Sequence, residues 1–186
     1  MTWASPKGGA APCDEGSIAA SKEDKSCMNF IEGDATKALV DNTVALSTLT
    51  DLTSFDAVFF AGGFGTMWDF PDDPDVQRIA AAMWESGKVV SAVCHGPCAL
   101  VNVTLSDGTK LVAGKEVAAF TNEEEDAVKC REVVPFTCED KFKEVGATYT
   151  KGGVFQAHVA VAGKLITGQN PPSAKPTAEA VIAALA

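Results

Sequence analysis

Short apolar runs closed by glycine alternate along this chain with polar stretches that carry helical spacing. The run FDAVFFAGG, residues 55–63, is rich in β-formers and ends in two glycines, which predicts a buried strand. KVVSAV, residues 88–93, predicts a second strand and KEVAAF, residues 115–120, a further one. FQAHVAVAGKLITG, residues 155–168, predicts a hairpin-like pair turning at Ala162 and Gly163. Residues 1–16, rich in Gly, Pro and Ala, read as a short strand leading into a loop.

Helical spacing fills the intervals. Residues 34–50 place Ala38, Leu39, Leu46 and Leu49 on one face, with a break near Asn42. Residues 73–86 predict a helix capped near Asp73, with Pro74 in its first turn and Gly87 at its end. Further helices are expected from Gly96, over 122–130, over 138–145 before Gly146, and in the closing segment SAKPTAEAVIAALA. Strands alternating with helices imply an α/β layered fold around a mainly parallel sheet.

A chain of 186 residues is expected to form one domain, and its 46% hydrophobic and 22% charged residues are ordinary for a globular protein. Net charge is −10, and the fifteen Lys and Arg are scattered. Without a basic stripe, nucleic acid and anionic membranes are not expected partners. The opening MTWASPKGGA has no signal pattern and no run approaches a spanning helix, so the expected location is cytoplasmic. Six cysteines in a large domain without a secretory signal argue against a disulfide framework, and the lack of a C-x-x-C pair with only two histidines argues against a metal site. Most of these cysteines are expected to be free, buried thiols.

SAVCHGPCAL, residues 91–100, concentrates the candidate chemistry. Ligands of parallel α/β sheets collect beyond the carboxyl ends of the strands. Cys94-His95-Gly96 and Ala61-Gly62-Gly63 are both expected at that edge. A tight strand-to-helix turn holds its side chain exposed with backbone N–H groups converging on it, and the helix dipole favours thiolate over thiol. Cys94 is therefore a candidate nucleophile, the alternative being a core thiol that merely ends a strand. Gly96 permits close backbone approach, and N–H groups including those of Gly62 and Gly63 are candidate oxyanion donors. Cys98 reads as a packing residue, His158 as structural or exposed, and Trp68 and Trp84 as core or dimer-face residues. Asn170, in GQNPPS, is expected to hold backbone groups near the rim.

AVCHGPCAL, DAVFFAGGFGTMWDFPD, LITGQNPPSAKPTAEAV and ASPKGGAAP, taken together, closely resemble the ThiJ/PfpI superfamily, and specifically its glyoxalase III and chaperone-like branch. The resemblance covers essentially the whole chain. It implies a flavodoxin-like, doubly wound sheet with helices on both faces. It also implies cofactor-free conversion of methylglyoxal, a 2-oxoaldehyde, to lactate through a hemithioacetal on Cys94. His95 is implied as the partner of the cysteine. The third, acidic member falls in AAFTNEEEDAV, where Glu125 is the best match and Glu124 the runner-up; the other reading of that run is a solvated charge cluster at a helix start. Gly62, Gly63, Gly65 and Gly96 are the implied oxyanion and substrate-binding glycines, and a homodimer is implied. An alternative implied function is a stress-responsive redox sensor or holdase that binds unfolded client proteins; a degenerate, inactive member is a further one.

Two departures from the family pattern stand out. Its usual Gly-Gly-His-Gly reads here Gly62-Gly63-Phe64-Gly65. The family's first strand and helix, with a glutamate beside the cysteine, have no counterpart before ASPKGG. The expectation is thus a single domain over 1–186, truncated at its N-terminus, weakly stable and weakly active alone. Neither Glu15 nor Glu32 has a spacing that marks it as a substitute base.

Overall fold

The computed structural model describes residues 1–186, which divide into two compact units, Met1–Thr50 and Asp51–Ala186. The first unit contains strand β1 (Ala4–Ser5), helices α1 (Glu15–Ala20), α2 (Lys25–Glu32) and α3 (Asp34–Asp41), and strand β2 (Val44–Ala45). β1 and β2 pair in parallel, Ala4 opposite Val44 and Ser5 opposite Ala45. The helix expected over 34–50 therefore stops at the predicted break. Asn42 leaves helical geometry with φ −132°, and the β-branched Thr43 and Val44 are drawn into pairing with the first segment. α1 and α2 had no counterpart among the predicted elements.

The second unit is built on strands β3 (Ala57–Phe60), β4 (Val89–Val93), β5 (Glu116–Val117), β6 (Thr148–Tyr149), β7 (Val159–Ala162) and β8 (Leu165–Gly168). Its helices are α4 (Thr66–Asp69), α5 (Pro74–Glu85), α6 (Asn122–Ala127), α7 (Cys138–Glu144) and α8 (Ala174–Leu185). The main sheet has the order β3-β4-β8-β7, parallel except for β7, which pairs antiparallel with β8. It is the mainly parallel α/β sheet that the sequence pattern predicts. β5 and β6 form a separate parallel pair, so KEVAAF contributes two strand residues rather than six.

All five residues of β4 are buried, as a strand flanked on both sides and covered on both faces requires. Val89 packs with Ile166 of β8 and Val181 of α8. α5 buries Val76, Ile79, Ala80 and Met83, the one-face spacing of a helix lying on a sheet. Its start is secured as expected: Asp73 Oδ1 accepts from the N–H groups of Asp75 and Val76 at 2.9 Å each. The hairpin turns through Gly163 and Lys164, because Ala162 pairs with Leu165; Gly163 takes the positive φ of 64° that this two-residue turn needs at its first position. The segment after Cys94 is a 3-10 helix, Gly96–Leu100, in place of the expected α-helix. All six cysteines are free, but only Cys98 and Cys138 are buried, while Cys13 and Cys27 are exposed. No helix is long and apolar enough to cross a membrane.

Candidate active site

Three chain segments leave the sheet side by side at the carboxyl ends of β3, β4 and β8. Phe60 is opposite Ala92 and Val93 opposite Gly168, so residues 61–65, 94–98 and 169–170 emerge together. Cys94 sits where β4 ends, with φ 63°, a left-handed conformation that a non-glycine residue rarely adopts. The turn is held from both sides: Cys94 N–H donates to Gly168 O at 2.9 Å, and Phe120 N–H donates to Cys94 O at 3.0 Å. Local strain at a residue so firmly over-determined is characteristic of functional positions.

The predicted glycines divide into distinct roles. A Cβ on Gly62 would lie 2.7 Å from Cys94 Cβ and 2.6 Å from Val93 O. One on Gly96 would lie 2.3 Å from Phe60 O. Both glycines thus let the β3 and β4 exits touch. Gly63 has φ 118°, and its N–H and that of His95 both approach the Cys94 sulfur. Those are two of the amide donors that an oxyanion site requires. Gly65 is exposed and opens α4, away from this close contact.

His95 is 1% exposed, and its ring lies between two partners. Nδ1 is 3.6 Å from Cys94 Sγ, and Nε2 is 2.8 Å from Glu125 Oε1. The carboxylate accepts from Nε2–H, which leaves the lone pair of Nδ1 facing the sulfur. This is the nucleophile–base–orienting-group order of covalent catalysis. Of the two candidate glutamates, the structure brings Glu125 to the histidine.

Glu124 does something else. Thr121 Oγ1 accepts from Glu124 N–H, and Glu124 Oε2 accepts from Thr121 N–H, forming a reciprocal cap at the start of α6. Glu124 Oε1 accepts from Phe155 N–H at 2.8 Å, Gln169 Nε2 at 3.0 Å and Asn170 Nδ2 at 2.7 Å. Burial alone would raise this carboxyl, but the donors from Asn170, Thr121, Gln169 and Phe155 outweigh it and hold it below its ordinary value. The motif Thr121-x-x-Glu124 signals this cap in the sequence and singles out Glu125 as the free neighbour. The solvated-charge reading fails for this pair, since both glutamates are 0% exposed. Asn170 acts as expected: Nδ2 also donates to Gln156 O at 2.7 Å, and Oδ1 accepts from Ser173 N–H at 3.1 Å.

The protonation state of Cys94 departs from expectation. Burial pushes its thiol up to about 12, and the carboxylates of Glu124 and Glu125 add to that; the N–H groups of His95 and Gly63 oppose it without prevailing. The helix that was expected to favour thiolate is a short 3-10 segment, with little aligned dipole to offer. Cys94 therefore rests as a thiol and requires a base at the moment of attack. Cys98 is a packing residue whose thiol donates to Thr66 O at 3.3 Å. His158 Nε2 pairs with Thr150 Oγ1 at 3.0 Å, a structural contact. Trp68 is 54% exposed, and Trp84 is half-buried with Lys115 Nζ 5.0 Å from its ring centre. Glu15 and Glu32 are both exposed.

Residues 18–184 match the DJ-1/PfpI family. Glyoxalase 3 of Candida albicans is 35% identical over 168 residues, which is 87% of this chain and 70% of that protein. The glutathione-independent glyoxalase HSP31 of Saccharomyces cerevisiae is 37% identical over 135 residues, 69% of this chain and 57% of that one. The crystal structure of the rapid encystment protein of Francisella tularensis superposes with a TM-score of 0.91 at 37% identity, covering 96% of this chain and 78% of that one.

Proposed function

The chain belongs to the DJ-1/PfpI family, and from the Cys94–His95–Glu125 geometry we propose that it converts methylglyoxal to lactate without glutathione or any other cofactor. The observation that carries this reading is the single line of atoms from a nucleophile to a buried carboxylate, Sγ to Nδ1 at 3.6 Å and Nε2 to Oε1 at 2.8 Å. The names of two relatives, a glyoxalase 3 and a glutathione-independent glyoxalase, support it.

In the first step Cys94 Sγ bonds to the aldehyde carbon while His95 Nδ1 takes the thiol proton. The carbonyl π pair moves to oxygen, where the N–H groups of Gly63 and His95 receive the negative charge. The proton on Nδ1 then passes to that oxygen, giving the neutral hemithioacetal. His95, neutral again, removes the hydrogen of the former aldehyde carbon to give an enediolate; the hydroxyl proton on that carbon passes to the neighbouring oxygen, and His95 returns its own proton to the neighbouring carbon. The product is a lactoyl thioester of Cys94. Water cleaves its C–S bond, releasing lactate and restoring the thiol. One carbon of the substrate is oxidised as its neighbour is reduced, so no external electron carrier is needed.

Glu125 acts on His95 by fixing its tautomer and by stabilising the imidazolium formed when Nδ1 is protonated. A redox-sensor reading fits less well, because oxidation of a cysteine follows its thiolate character and burial favours the neutral thiol here. Homodimer formation, a cytoplasmic site of action and binding of unfolded clients extend this proposal and are not required by the chemistry.

The test is lactate formation from methylglyoxal in glutathione-free buffer, by the wild-type protein and by Cys94→Ala. Turnover that the substitution abolishes supports the reading. Aldehyde loss without lactate, or lactate at equal rates from both proteins, refutes it.

A further inference from the structure

Phe155 holds a φ of 53°, left-handed backbone that is costly for a bulky side chain. It is fixed there by the bond from its N–H to the buried Glu124 carboxylate at 2.8 Å. The side chain that this strain positions is not consumed in the core: it remains 42% exposed. An outlier that delivers an apolar ring to the surface calls for a functional reason.

Its ring continues a row of aromatic groups that ends at the catalytic pair. Phe155 stands 6.2 Å from Phe120, and Phe120 stands 4.5 Å from the imidazole of His95. His95 also meets Phe64 at 4.4 Å, and Phe64 is 6.3 Å from Phe120, so the three rings form a triangle. Phe120 is 3% exposed, so packing explains it. Packing does not explain Phe64, which is 37% exposed. Phe64 directly follows Gly63, whose N–H reaches the Cys94 sulfur. An oxyanion donor and an apolar ring thus sit on consecutive residues.

We propose that Phe64 and Phe155 form a substrate-facing wall, and that the preferred 2-oxoaldehyde carries a flat, uncharged apolar group, such as an aryl ring, on its ketone carbon. This rests on the glyoxalase reading of Cys94 and narrows it. With the aldehyde carbon on Sγ and its oxygen toward the Gly63 and His95 N–H groups, the ketone substituent lies one bond away, next to Phe64, and an aryl group extends from there toward Phe155, which joins the same cluster through Phe120. Aromatic pairs favour centroid separations of about 4.5–7 Å, the same spacing this row already uses. A methyl group covers only a small part of two rings that each leave more than a third of their area in solvent. The carboxylates of Glu124 and Glu125 act on this same sulfur, and they would repel an anionic substituent.

The experiment compares initial-rate kcat/KM for phenylglyoxal and methylglyoxal in wild type, Phe64→Ala and Phe155→Ala. The wild-type preference for the aryl substrate is expected to be about tenfold or more, with each substitution lowering that ratio severalfold, chiefly through KM for phenylglyoxal. A wild-type ratio at or below one, or a ratio unmoved in both folded variants, overturns the wall while leaving the glyoxalase reading intact. If neither aldehyde is turned over, the glyoxalase reading is what has failed. The wall is then read from Cys94 alkylation by 2-bromoacetophenone against bromoacetone, scored by peptide mapping. An aryl-to-methyl labelling ratio that falls in Phe155→Ala supports the wall, and an equal ratio in both proteins overturns it.

Discussion

The imidazole of His95 bridges Cys94 and Glu125, with Nδ1 3.6 Å from the sulfur and Nε2 2.8 Å from the carboxylate. The bridge makes Glu125 a positioning residue whose charge is felt only through His95. Glu125→Gln removes that charge and no longer enforces one tautomer. It is expected to lower kcat by about a hundredfold or more, in the direction seen for orienting carboxylates of other nucleophilic triads. Steady-state kinetics with methylglyoxal check this, and an undiminished kcat would remove Glu125 from the relay. A protonation-dependent role also predicts an altered pH profile, which a merely structural loss would not produce.

A thiol raised to about 12 is almost wholly neutral near pH 7. Iodoacetamide should therefore alkylate Cys94 at a rate that climbs about tenfold per pH unit from 7 to 10, without a plateau, when His95→Ala removes the adjacent base. Peptide mapping separates this site from the exposed Cys13 and Cys27. A plateau with its midpoint near or below pH 7 would contradict the assigned resting state.

The same shift has a stability consequence. A group whose folded pKa is raised contributes stability that is complete below its unfolded value and is lost as pH rises through the folded one. Cys94 and Cys98 both move from an ordinary value of 9.0 up to about 12 through burial. Their contribution should persist to about pH 9 and disappear between there and about 12. Thermal unfolding midpoints measured across that range should fall more steeply for wild type than for Cys98→Ala.

Glu124 works in the opposite pH window. Its carboxyl lies below the ordinary value, so its contribution is present above the unfolded pKa and lost as pH falls through the folded one. Glu124→Gln cannot accept from the same set of donors and is expected to cost about 2–4 kcal/mol at neutral pH. The gap between the melting points of wild type and variant should narrow as pH falls below about 4. A gap that stays constant into acid would mean that Glu124 is not held as a carboxylate.

At the elbow itself, Gly62→Ala places a methyl carbon 2.7 Å from Cys94 Cβ and 2.6 Å from Val93 O. The backbone must separate there, at an expected cost of about 1–3 kcal/mol, and the Gly63 N–H leaves the sulfur. Activity should therefore fall further than stability explains, which parallel kcat/KM and chemical-denaturation measurements resolve.

The elbow is legible in the sequence because every signal for it is local. An apolar run, a Gly-Gly exit and Cys-His-Gly-Pro fix strand, turn and close approach within a few residues of one another. Glu125 is harder to find, because choosing it over Glu124 requires reading Thr121 as a cap whose partner lies three residues on. α1 is too short to set up a periodic face, whereas α2 carried a signal that was there to read, Asp24 as cap followed by Cys27, Phe30 and Ile31 at helical spacing. The charge state of Cys94 is not legible in the sequence for a different reason. It depends on burial and on carboxylates delivered by α6, which belong to tertiary structure and not to the turn. Phe64 is visible in the sequence as a departure from the family pattern, yet its contact with His95 emerges only once β3 and β4 lie side by side.

The most direct measurement is peptide-resolved mass spectrometry of the protein quenched at intervals during turnover of methylglyoxal. Covalent catalysis predicts an adduct on the peptide containing Cys94 that forms before lactate and decays as lactate accumulates, with both adduct and lactate missing in Cys94→Ala. Lactate produced at the wild-type rate by Cys94→Ala, or adducts confined to Cys13 and Cys27, would contradict it.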